Sequence, residues 1–209
     1  GSLRVFTIFE KPDPLDGPFF EETIYLTPPR IPDATADAIE TEVRRACSAL
    51  GLRHGPIHAE CRVSPRGVVM LEVAARPIGG LCSRVLRFVE AGSDTSLEDV
   101  LLRHAVGRDI SSCTLHPLAA GVMMIPIPQR GIYRRVTGES AARGVRGIDH
   151  LEITAKKEQL LEPLPEGDSY LGFIFARAST EDAVEHALRE AHAQLRFEID
   201  RELTVKAVV

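Results

Sequence analysis

Apolar positions along the chain follow two rhythms, one of period two and one near 3.6, and the change from one to the other predicts the elements. Residues 3–9 (LRVFTIF) read as a strand of aromatic and β-branched content, and residues 10–18 form a loop stiffened by three prolines. Residues 19–27 read as the next strand. Ile39, Val43, Cys47 and Leu50 then recur at helical spacing, with Asp33 placed to cap and Gly51 to stop the helix. After Gly55-Pro56, Ile57, Ala59, Cys61 and Val63 alternate with His58, Glu60 and Arg62. Ser64-Pro65-Arg66-Gly67 has turn chemistry, and residues 68–75 return as an apolar strand around a single acid, Glu72. Gly79-Gly80 precedes a predicted helix over 81–89, and Ser96 with Asp99 marks the start of another, ended by Gly107.

The second half changes character. Short strands are predicted at 120–128, 132–136, 148–155 and 170–178, followed by a helix capped by Thr180 with Val184, Ala187, Leu188 and Ala191 in its apolar stripe. The polar stretch 108–116 separates the halves, with the cut near Ser111-Ser112. The expected class is therefore α+β in two domains. Residues 1–110 form an antiparallel sheet backed by helices, and 111–209 a smaller α+β layer.

The hairpin at 57–75 carries the candidate chemistry. An ionised carboxylate inside an apolar strand costs several kcal/mol unless it is paired, hydrogen-bonded or bound to a metal, so Glu72 demands a reason. Pairing around the 64–67 turn puts Glu60 four residues before it and Glu72 five after, near each other on adjacent strands. Two carboxylates that close repel unless a cation lies between them. Hard oxygen donors suit Mg2+, or Mn2+, better than zinc, with water and nucleotide phosphates completing the shell.

Composition narrows the class. The 209 residues hold 25 basic and 30 acidic side chains, a formal charge of −5, with a pI near 5.8. Neither nucleic acid nor an anionic membrane is indicated as a partner. No apolar run reaches the ~20 residues of a membrane span. The four cysteines, 47, 61, 82 and 113, include no C-x-x-C pair. They read as core residues of a reducing, cytoplasmic protein. Gly1-Ser2 reads as a tag remnant before a mid-strand start, so a piece of a longer protein is expected.

Glu60, followed by Glu72-Val73-Ala74-Ala75-Arg76-Pro77-Ile78-Gly79-Gly80, resembles the metal-binding end of the ATP-grasp superfamily, and in particular its amino-acid ligase (carboxylate–amine ligase) branch. The resemblance covers residues 3–107 well and the rest more loosely. It implies a C-terminal ATP-grasp subdomain followed by the small accessory domain of those ligases. Glu60 and Glu72 would bridge Mg2+ on ATP, and Arg76 would face the substrate carboxylate and acyl-phosphate. Ala74 stands where many members place an asparagine ligand. The partners implied are ATP, a carboxylate, an amine and upstream ATP-grasp segments of the same parent chain; a homodimer is left open. Without those segments the piece alone is expected to be inactive.

Four further residues are candidates to bind substrate or phosphate, each with a plainer reading. Lys11 either faces a substrate anion or is a solvated loop lysine. His58 shares the Glu60 face, and is either at the metal or phosphates or simply hydrogen-bonded. Gly79 and Gly80 present N–H groups at a predicted helix start, or make an ordinary turn. Two other functions stay open: an ATP-grasp carboxylase-like or purine-biosynthetic ligase, and a non-catalytic binding or dimerisation module in which Glu72 pairs with Arg62 or Arg76.

Overall fold

A computed structural model describes residues 3–14, 23–164, 166–167 and 169–201. By contacts, residues 1–10 and 27–117 form one unit, and 11–26 with 118–209 the other. A single cut at 110/111 assigns 11–26 to the first half, whereas their contacts join them to the second unit.

In the first unit, helix α1 (Asp33–Ala49) backs a hairpin of β2 (His58–Ser64) and β3 (Gly67–Ala74). Ile39, Val43 and Cys47 of α1 pack with Ala59, Cys61, Val68, Met70 and Val73, so the helical and alternating stripes meet as the sequence implies. Asp33 does not cap α1: Pro32 occupies the cap position without a side-chain bond, and Asp33 stands in the first turn, where its charge still suits the helix dipole. Residues 3–9 are not in a strand. They pack all the same, Phe6 and Phe9 against one core cluster and Leu3 and Ile8 against another. The expected helix over 81–89 is also absent. A single 3-10 turn, Cys82–Val85, gives way to β4 (Arg87–Glu90), which pairs with β5 (Ser93–Ser96) and β6 (Thr114–Leu115). Phe88 explains the change, since in β4 it is fully buried against Val100 of α2 (Leu97–Ala105). The Ser96 cap of α2 forms as read, with Asp99 N–H donating to Ser96 Oγ at 3.2 Å.

The second unit is built on a four-stranded sheet ordered β1-β7-β11-β9, from β1 (Ile24–Thr27), β7 (Ala119–Ile125), β11 (Gly172–Ala178) and β9 (Ile148–Ile153). Of the predicted strand 19–27, residues 19–22 lie outside the described residues. Helix α4 (Glu181–Gln194) covers one face, started by Ala183 N–H donating to Thr180 Oγ1. Its Val184, Ala187, Leu188 and Ala191 join Leu26, Met123, Ile125, Leu151 and Ile174 in one core. Gly121 is required at this contact, because a Cβ there would lie 2.9 Å from the Tyr25 carbonyl and 2.7 Å from Leu26. Beside this sheet, β8 (Gly131–Thr137) pairs with β10 (Leu160–Leu161) and with β12 (Arg196–Asp200), a strand unmarked in the sequence reading; α3 (Glu139–Gly144) follows β8.

The β2–β3 ladder contains one irregularity. Glu60 pairs with Glu72 but Cys61 with Met70, leaving Leu71 as an extra residue. In an unbroken strand Glu72 would share the helix-facing side with Val68 and Met70. The bulge reverses the phase, so Val73 faces α1 and Glu72 the opposite side. Leu71 and Glu72 are thus both outside, and the apolar strand read at 68–75 is only partly buried, with Val69 and Leu71 56% and 61% exposed.

Two outcomes test these features. By urea denaturation, Leu71→Ser should change stability by no more than about 0.5 kcal/mol and Met70→Ser should cost about 1–2 kcal/mol; the reverse ranking would mean a regular strand. In the second unit, Asp13 is partly buried, which raises its pKa. The Thr23 hydroxyl and the Arg189 guanidinium (2.6 Å) outweigh that and hold the carboxyl below its usual value. A lowered folded pKa contributes stability above the unfolded value of about 3.9, lost as pH falls through the folded one. Arg189→Ala should therefore cost roughly 0.5 kcal/mol at pH 7, discounted for solvent screening, and the gap should narrow toward pH 3 in paired denaturation curves.

Candidate functional site

The outer face of the β2–β3 hairpin gathers three of the sequence-predicted residues, His58, Glu60 and Glu72. His58 and Glu60 stand two apart on β2, and the register sets Glu60 opposite Glu72 and His58 opposite Ala74. Opposed residues of an antiparallel ladder have Cβ atoms about 5 Å apart, so the two carboxylates share one spot. Their surroundings differ. The Glu60 side chain is 26% exposed and meets His58 Nε2 through Oε1 at 3.1 Å, with His58 itself only 13% exposed. Glu72 is 53% exposed, so the several-kcal/mol burial cost inferred from its apolar neighbours does not arise.

Arg76 lies just past the strand. Its Nη2 is 3.6 Å from Glu72 Oε1, and Nη1 donates to the Pro77 carbonyl at 3.1 Å. Both partners of the Glu72 pair are half exposed, and such pairs contribute under about 1 kcal/mol, which a divalent cation readily outcompetes. Gly79 borders this guanidinium: a Cβ on Gly79 would sit 3.9 Å from Arg76 Nη1. Gly80 and Leu81 both take left-handed backbone, with φ of 60° and 55°. The N-terminal anion site expected from Gly79-Gly80 loses its helix, because a four-residue 3-10 turn follows them. What remains is a glycine, Gly79, beside the Arg76 guanidinium.

Lys11 belongs to the other unit, where its Nζ lies 5.1 Å from the centre of the Tyr25 ring.

Two opposed carboxylates offer the hard oxygen donors that Mg2+ or Mn2+ prefers, in a number that leaves most of the shell to other ligands. Among the described residues no group of three or more His, Cys, Asp or Glu side chains is placed to hold a metal ion. The donor set therefore fits a metal shared with phosphate oxygens and water and does not fit a closed structural site. The four cysteines are free thiols, three of them buried. No helix among the described residues is long and apolar enough to cross a membrane.

The bulge is the structural feature that the sequence alone does not show. The one trace of it there is the unequal spacing, four residues from Glu60 to the turn and five from the turn to Glu72.

Residues 1–85 match the family model of an ATP-grasp domain, and residues 123–200 that of L-amino acid ligase C-terminal domain 2. No curated protein matches. Among solved structures, an L-amino acid ligase from Bacillus licheniformis superposes with a TM-score of 0.83 at 25% identity, over 96% of this chain and 49% of that one. Phosphoribosylglycinamide synthetase from Anaerococcus prevotii (TM-score 0.67, 14% identity, 85% and 45% covered) shares the fold. So does N5-carboxyaminoimidazole ribonucleotide synthetase from Thermotoga maritima (0.63, 17%, 85% and 46%). The chain spans about half the length of each of these proteins. With an ATP-grasp match over 1–85 followed by an L-amino acid ligase C-terminal match over 123–200, the chain resembles the L-amino acid ligase branch of the ATP-grasp superfamily.

Proposed function

We propose that this chain supplies the metal and substrate-carboxylate end of an ATP-dependent carboxylate–amine ligase that joins amino acids. The observation that carries the reading is the Glu60–Glu72 register pair on the outer face of the hairpin, with Arg76 next to it. Glu60 and Glu72 would hold Mg2+, with Mn2+ as a substitute, and the metal would neutralise charge on the ATP phosphates. Arg76 presents a planar, permanently charged fork to the carboxylate that accepts the γ-phosphoryl. The carboxylate oxygen attacks phosphorus and ADP leaves, giving an acyl-phosphate. The amine nitrogen then attacks the acyl carbon and expels phosphate, forming the amide. Gly79 borders the Arg76 guanidinium without a side chain of its own. The reaction, the cytoplasmic setting and the need for upstream ATP-grasp segments in the parent chain are parts of this same reading.

The L-amino acid ligase C-terminal match over residues 123–200 supports amino-acid substrates over the purine-biosynthetic acceptors, whose representatives share only the fold. A structural role for Glu72 and Arg76 draws on their ion pair, but at 3.6 Å and half exposed it is too weak to explain two opposed acids.

In the full-length parent, ADP release with Mg2+ should rise on addition of amino-acid pairs and not of bicarbonate. Glu72→Gln should lower it at least 100-fold, since it removes a charged metal ligand, and Arg76→Lys should chiefly raise KM for the carboxylate substrate. Retained turnover in Glu72→Gln would overturn the assignment of the metal pair; stimulation by bicarbonate alone would move the acceptor to the carboxylase-like class.

A further inference from the structure

The two acids of the site are not held alike. Glu72 has a long, half-exposed pair with Arg76, whereas Glu60 meets a largely buried imidazole on its own strand at 3.1 Å. An ionised carboxylate only accepts hydrogen bonds, so the His58 nitrogen facing it must carry the proton. That nitrogen has no lone pair left for a metal, which argues against His58 as a ligand through Nε2.

We infer that His58 is a positioning residue: by donating Nε2–H to Glu60 Oε1 it fixes the carboxylate on the outer face, in the orientation in which it would meet the metal. This deepens the ligase reading and rests on Glu60 being a metal ligand. Three observations converge on it. The i, i+2 spacing on one strand puts both side chains on one face. The residue opposite His58 is Ala74, whose small side chain leaves room for the imidazole at the strand end. Among the acids and bases of this face, His58 and Glu60 are the two with the least exposed side chains, so their mutual orientation is the better defined. Hydrogen bonds of this kind, from an imidazole to a ligating carboxylate, set ligand orientation, and losing them typically weakens metal binding 10–100-fold.

The test uses the protein as it stands, with Mn2+ as the probe, observed by solvent-proton relaxation and by long-range 1H–15N spectra of the imidazoles. His58 should show a protonated Nε2 whose shift changes in Glu60→Gln before any metal is added. Mn2+ affinity should fall 10–100-fold in His58→Ala and return toward the original value in His58→Gln, whose amide N–H can replace the donor. Mn2+ binding lost in Glu60→Gln but unchanged in His58→Ala would overturn the inference and leave the metal pair standing. An Nε2 without its proton would overturn it as well. Mn2+ binding that survives both Glu60→Gln and Glu72→Gln would overturn the metal reading, and this inference with it.

Discussion

The pleat of a two-stranded ladder fixes which side every residue faces, and the site depends on one local exception to it. Because side chains alternate strictly, Glu72 cannot leave the helix-facing side of β3 unless the count changes, and Leu71 changes it. The apolar side then stays intact as Val68, Met70 and Val73 against α1, while the acid joins Glu60 outside. Packing and chemistry are thus reconciled by one extra residue. The cost is an exposed leucine, which is small beside that of burying an ionised carboxylate.

Much of this was legible in the sequence because it is local. The α1 stripe, the 64–67 turn, the Ser96 and Thr180 caps and the second-half strands follow from periodicity and turn chemistry, which act over a few residues. The missed features depend on distant partners. Residues 81–89, following Gly79-Gly80, read as a helix, but Phe88 is drawn into a strand by a core completed by Val100 and Cys113. Likewise, no local pattern could show that His54 stacks on His104, with ring centres 4.3 Å apart.

The site divides the same way. Spacing around the turn brings Glu60 and Glu72 near each other on adjacent strands, but only the bulge sets them opposite on one face. That Glu72 is half exposed does not follow from the sequence either, because an apolar composition says how much of a strand is buried on average and nothing about which side a bulge selects. His58 was placed on the right face by alternation, yet its bond to Glu60 depends on rotamers that no spacing encodes.

Strand β1 carries a consequence for how the chain can be divided. Between residues 10 and 27 the chain's described residues, 11–14 and 23–26, belong by contacts to the second unit, and Ile24 and Leu26 enter its core in an outer strand of the sheet beside β7. Within unit one, the base of this excursion is closed by Thr7 Oγ1 against Thr27 Oγ1 at 2.5 Å and by Glu10 with Arg30 at 2.6 Å. The second unit is therefore not a contiguous stretch of polypeptide. Expressed from residue 118 onward, it would present β7, apolar along its whole length, as a naked sheet edge, an invitation to pair with another molecule.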